Sequence, residues 1–182
     1  MAIVFEVEDG TGSASATSYL STDEATDILS VNPVFTASWI GLTPTDQEGL
    51  LIWASQYLDQ HVDWYGVKTV TDSGLRWPRY GIYDQDGDLV SDDIVPAQVK
   101  QATAQLAIFL QTSNSARSGG ETTVIPEGIK RVKADVVEVE FVDNAAGDSR
   151  SGSDLLPVNI RYLIYGLGHI RTGKRRIARA IR

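Results

Sequence analysis

The stretch Thr45 to Val62, TDQEGLLIWASQYLDQHV, decides the fold. Leu50, Leu51, Ala54, Tyr57, Leu58 and then His61 or Val62 recur at intervals of three and four, which gathers them on one face of a helix. Thr45, with Glu48 three residues on, has the form of a capping box, in which each side chain takes a backbone amide left free in the first turn. The pattern predicts an amphipathic helix from about Asp46 to Val62. A second helix is expected from Pro96, whose fixed backbone angle suits a first turn, with Val99, Ala102, Leu106, Ala107 and Leu110 on one face. Two such faces hide each other from water, so these helices should pack together as the core.

Outward from this pair the patterns are shorter. Ser21, Thr22 or Asp23 can cap a short helix ending near Val31. Ile3, Phe5 and Val7 alternate as a strand would, before the turn cluster Glu8 to Gly12. Past the polar linker 112–121, Val132, Val137, Val139 and Phe141 alternate with charged neighbours such as Glu138 and Glu140, as in a hairpin arm. A final helix from Pro157 carries Val158, Ile160, Leu163, Ile164 and Leu167 and runs to Gly166 or Gly168. The expected fold is mainly α, a small helical bundle with β-hairpin insertions and an extended, basic C-terminal tail. The bundle takes about 21–111 and 155–168 of a single domain over 1–170, the arm about 124–142 and the tail 171–182.

A chain of 182 residues is long enough for one domain with a real core, and 42% hydrophobic with 22% charged is an ordinary globular composition. It has no cysteine, which excludes disulfides, thiolate metal sites and cysteine nucleophiles. The longest apolar runs, LLIWA and LAIFL, are far below membrane-spanning length, and the N-terminus lacks a basic region, so a soluble protein made in the cytoplasm is expected. The net charge of −8 is uneven: the tail RTGKRRIARAIR carries +6 and no acid, against −14 for the rest. An acidic body repels phosphate, which leaves the tail for any contact with nucleic acid. Arg171, Lys174, Arg175, Arg176, Arg179 and Arg182 interleave with Ile177 and Ile181, a pattern open to two readings, an amphipathic segment that folds onto a partner or a solvated terminus.

Few motifs offer chemistry. DQDGDLVSDD, Asp84 to Asp93, suggests a calcium loop, but its glycine stands fourth instead of sixth and Val95 occupies the place of the bidentate glutamate. Between Ile82–Tyr83 and Leu89–Val90, the pair Asp86–Gly87 reads instead as a hairpin turn, and Asp92 and Asp93 favour the start of the Pro96 helix. GHIRTGKR, 168–175, has the spacing of a phosphate loop, yet a helix precedes it and Arg175 stands where the magnesium-binding hydroxyl belongs. His61 and His169 are far apart in sequence, and no carboxylate pair stands out, so no catalytic, cofactor or metal residues are expected. Of Trp39, Trp53, Trp64 and Trp77, only Trp77 lies between arginines, Arg76 and Arg79. It is a candidate base-stacking platform, although packing of an extended Trp-Pro segment accounts for it more simply.

The segments VEDGTG…ATSYLSTDEA, ASQYLDQ, WYGVKT, GLRWPRYGIYDQDG and IVPAQVKQATAQLA, in this order from Val7 to Leu110, resemble a family of tailed phages labelled DnaT-like single-stranded DNA-binding. Its signature positions here are Trp77, Pro78, Arg79, Gly81, Asp86, Gly87 and Pro96, to which the resemblance gives a structural role. Similar proteins serve as head-to-tail adaptors. The resemblance therefore implies a non-enzymatic virion protein, assembled in the host cytoplasm, that forms a dodecameric ring at the head–tail junction. It would bind the portal above and a stopper, tail-completion or tail tube protein below, with double-stranded DNA passing through. The alternative that the family label implies is a single-stranded DNA-binding replication accessory.

Overall fold

The computed structural model describes residues 4–84, 87–112, 131–134, 137–140 and 156–171. The described elements are α1 (Thr22–Ser30), α2 (Pro33–Ile40), α3 (Pro44–His61), β1 (Val62–Trp64), β2 (Val67–Lys68), β3 (Arg79–Tyr80), α4 (Ala97–Thr112), β4 (Arg131–Ala134), β5 (Val137–Glu140), α5 (Val158–Leu163) and β6 (Gly168–Ile170). The expected mainly α bundle is corrected to a mixed fold. Among the described residues, five helices are accompanied by three two-stranded antiparallel sheets, β1–β6, β2–β3 and β4–β5, so the helices and hairpins expected are present but the balance is mixed.

α3 and α4 pack together as their apolar faces require, burying Leu51, Ala54 and Leu58 against Val99, Ala102, Leu106 and Leu110. α1 and α5 close over α4 and add Leu29 and Ile160 to the same core. Ser21 caps α1 in a full capping box with Glu24, whose carboxylate also receives Lys100 Nζ at 2.6 Å and so ties α1 to α4. The start of α3 differs from the expectation: Thr43, and not Thr45, accepts the Asp46 amide, because Pro44 takes the first helical position. α2 went unforeseen because PVFTASWI is apolar nearly all round and shows no periodicity. Asn32 caps it, and Trp39 is buried with its indole N–H on Thr26 Oγ1 at 2.9 Å.

The strand expected at Ile3–Val7 is replaced by a folded-back loop in which Val7 makes only an isolated parallel bridge to Ser18. Ile3 lies outside the described residues. What organises this loop is the buried Glu8, whose Oε1 accepts the amides of Gly10 at 2.9 Å and Gly12 at 2.8 Å. Gly10 has φ +102°, and a Cβ there would stand 1.8 Å from the Asp93 carbonyl oxygen. Gly10→Ala should therefore cost about 1–3 kcal/mol from backbone strain alone, read as a lowered chemical denaturation midpoint with an unchanged slope.

The final helix ends at Leu163, earlier than expected, and the chain turns into β6, which pairs with β1 in the register Val62↔Ile170, Asp63↔His169, Trp64↔Gly168. A Cβ on Gly168 would lie 2.8 Å from Val62 Cγ1 and 3.0 Å from the Asp63 oxygen, so this ladder closes only on glycine. The hairpin expected in the arm is present as β4 and β5, from Arg131↔Glu140 to Ala134↔Val137. The linker 112–121, apart from Thr112, and the remainder of the arm lie outside the described residues.

Candidate interaction surfaces

Trp77 is wholly buried and packs edge-on against Trp64, with ring centroids 5.7 Å apart. A side chain with no exposed face cannot stack a base, so the stacking candidate becomes a packing residue. The Trp77–Pro78 peptide bond is cis, and Pro78 is buried beside it. Arg79 is buried too. Its guanidinium donates to the carbonyls of Tyr65 at 2.6 Å, Gly66 at 2.8 Å, Arg76 at 3.0 Å and Trp64 at 3.4 Å, stitching the β1–β2 connection to β3. Burial lowers the Arg79 pKa from its ordinary value, and the nearby Arg76 charge adds to the effect.

The rest of the signature shapes turns. Gly81 and Gly87 adopt φ +75° and +88°, and Tyr83 bridges Leu89 across the aspartate turn. Asp84 N–H donates to Asp88 O, and Asp88 N–H donates to Asp84 Oδ1, both at 2.9 Å. Asp86 lies outside the described residues. Pro96 precedes α4, and its carbonyl accepts from Val99 and Lys100 in the first turn. Among the described residues, no group of three metal-ligating side chains is close enough to hold an ion.

A second polar knot lies beneath this segment. Asp59 of α3 accepts the Tyr19 hydroxyl at 2.6 Å and the Trp64 indole N–H at 3.0 Å on Oδ1, and the Arg76 amide at 3.1 Å on Oδ2. Burial pushes the Asp59 pKa up despite these donors, and burial beside Asp59 pushes the Tyr19 phenol well above its ordinary value. The histidines stand apart from both knots. His61 stacks on Tyr57 at 4.0 Å and places Nδ1 2.8 Å from the Tyr57 carbonyl, while His169 Nε2 lies 3.7 Å from Asp63 Oδ2.

Residues 1–112 hold sixteen acidic side chains and four basic ones, Lys68, Arg76, Arg79 and Lys100. Arg79 is spent on carbonyls, Lys100 on Glu24, and Lys68 Nζ donates to Ser73 O at 2.7 Å. Arg76 alone of the four has a side chain with no hydrogen bond or ion pair among the described residues. Of the tail, Arg171 belongs to the fold. Its guanidinium pairs with Asp63 and reaches Gln60 O at 3.0 Å, and its amide donates to His61 O at 2.8 Å. Lys174, Arg175, Arg176, Ile177, Arg179, Ile181 and Arg182 lie outside the described residues.

Among the described residues the exposed aromatic side chains are tyrosines and Phe109. Trp39, Trp64 and Trp77 are buried and Trp53 half-buried, whereas Tyr65, Tyr80, Tyr83, Tyr162 and Tyr165 are open to solvent, the last two at 74% and 70%. Tyr65 leans on the His169 ring at 5.9 Å, and Tyr80 pairs with the exposed Val67 across β2–β3. In the sequence these tyrosines stand in WYGV, RYGIY and RYLIY, where neither periodicity nor spacing marks them as exposed. Two depressions lie on the described surface. One, of about 500 Å³, has Arg76, Lys68, Gln56 and Gln60 around it; the other, of about 340 Å³, is mostly apolar and lined by Leu42, Leu50, Trp53 and Leu110. No histidine lines either one. Among the described residues no helix is long and apolar enough to cross a membrane.

These features define a small mixed helix-and-hairpin domain that turns tyrosines and carboxylates outward and keeps its Trp-Pro-Arg segment inside. The chain belongs to the family described as "Putative DnaT-like ssDNA binding protein", whose model matches residues 1–180. No curated protein and no solved structure matches it.

Proposed function

We propose that this chain is a structural virion protein without catalytic activity, a head-to-tail adaptor that assembles as a ring beneath the portal and meets a stopper or tail protein below. The observation that carries this reading is the fate of the signature. Trp77 and Arg79, the residues best suited to hold a DNA strand, are consumed inside the fold. Tyrosine-rich surface is typical of protein contacts, while sixteen acids against four bases in residues 1–112 oppose a polyanion. The basic segment 172–182, with Ile177 and Ile181 among its cations, is the part suited to gripping the portal.

The family description speaks for the second reading, single-stranded DNA binding, rather than for the adaptor. If that reading holds, the stacking groups are exposed tyrosines such as Tyr65 and Tyr80, with the charge supplied by the tail. Electron microscopy of the chain mixed with its portal, run beside oligonucleotide titrations at low salt, separates the two. A ring on the portal's narrow end with no strand binding supports the adaptor. Salt-dependent strand binding without a ring sinks it. Removal of 172–182 is expected to weaken portal docking at least several-fold; the cut belongs after Arg171, because Arg171 is part of the β6 closure.

A further inference from the structure

We propose that copies of this chain join head to tail through the depression beside Arg76, which receives the Asp88 carboxylate on the aspartate turn of a second copy. The proposal rests on the ring reading above and names the contact that would build the ring.

The depression, about 500 Å³, lies between the second half of α3 and the Lys68–Arg76 segment. Its cationic groups, the Arg76 guanidinium and the Lys68 ammonium, only donate, and the exposed Gln56 and Gln60 amides can donate or accept. Asp59 in its wall adds little accepting capacity, since Tyr19, Trp64 and Arg76 N–H already occupy its oxygens. Lys68 is held in place by Ser73 O at 2.7 Å, and Arg76, whose charge also acts on Asp59, presents a planar fork with no hydrogen bond or ion pair among the described residues, the geometry that takes a carboxylate through two parallel hydrogen bonds. Leu75 lies in the same wall and offers apolar surface beside the donors.

The complementary group is on the same chain but does not meet the depression within it. Asp88 is exposed and makes no ion pair among the described residues. It sits on a turn braced by the reciprocal Asp84–Asp88 hydrogen bonds and the Tyr83–Leu89 bridge. Tyr83 and Leu89, exposed at 62% and 63%, flank that carboxylate with apolar surface of the kind Leu75 can meet. Because donor patch and acceptor patch differ, each copy uses one of each, and the contact repeats around a ring instead of pairing two copies face to face. An exposed ion pair adds little affinity by itself, so its part is to fix the register of a wider interface.

The test is a charge swap in the full-length chain, followed by sedimentation velocity with and without portal at low salt. Arg76→Glu and Asp88→Lys are each expected to weaken assembly about tenfold or more, and the double variant is expected to recover most of the loss, with circular dichroism confirming that every variant is folded. Assembly that is indifferent to Arg76→Glu, or a double variant no better than the singles, overturns the contact while leaving the ring reading standing. Closed face-to-face dimers also overturn it. If the unaltered chain forms no assembly even with portal, contact and ring reading fall together. Oligonucleotide binding lost on Arg76→Gln with assembly intact would reassign the depression to phosphate and overturn the proposal.

Discussion

Trp77→Ala is expected to lower unfolding stability by about 3–5 kcal/mol, the range for removing a wholly buried large aromatic. The indole fills the space against Trp64, and its loss leaves a cavity that the neighbouring Arg79 carbonyl cage is too constrained to close. A marginal domain has roughly 5–15 kcal/mol in total, so much of its margin would go. Trp77→Phe should recover part of the loss, since it keeps an aromatic edge on Trp64. Chemical denaturation checks both variants. The informative comparison is with nucleic acid: if Trp77 stacked bases, Trp77→Phe would lose strand binding at unchanged stability, an outcome that its burial excludes.

Asp59→Ala should cost a similar amount, about 3–5 kcal/mol, because it leaves the Tyr19 hydroxyl, the Trp64 indole N–H and the Arg76 amide without an acceptor. Its pH signature has a definite sign. Burial raises the folded pKa of Asp59 above its unfolded value, near about 3.9 for an aspartate, so the folded state holds the proton more tightly. The contribution of this group is fully present below the unfolded pKa and is lost as pH rises through the raised folded value. Denaturation of the wild-type chain from pH 3 upward should show this falling component, and Asp59→Ala should lack it. A component of the opposite slope assigned to Asp59 by the same comparison would contradict the buried geometry.

What the sequence made legible follows from where its periodicity was strong. α3 and α4 could be read because their apolar residues repeat over about three turns, and α1 was announced by three candidate caps, Ser21, Thr22 and Asp23, of which Ser21 takes the role. α2 escaped because its apolar residues follow no helical period: Trp39 is buried while Val34 and Ile40 stay exposed. β6 escaped for another reason: three residues, Gly168–Ile170, acquire their structure from pairing with β1, more than 100 positions away, and carry no local signal of that partner. At the surface, burial decided what composition could not. RWPRYGIY contains both an aromatic flanked by arginines and two tyrosines, and only the fold shows that the former faces in and the latter out. Likewise Asp59 was one acid among twenty-four until its three donors were seen to converge.

The closure of β1 on β6 and the packing of α5 on α4 bear on how the chain between α4 and α5 is carried. Thr112 ends α4, and α5 returns to the same helix, with Asn159 Nδ2 on Gln105 Oε1 at 2.7 Å. Both ends of the span 113–155 therefore meet the same helix, and α4 is the common foundation on which that span is mounted.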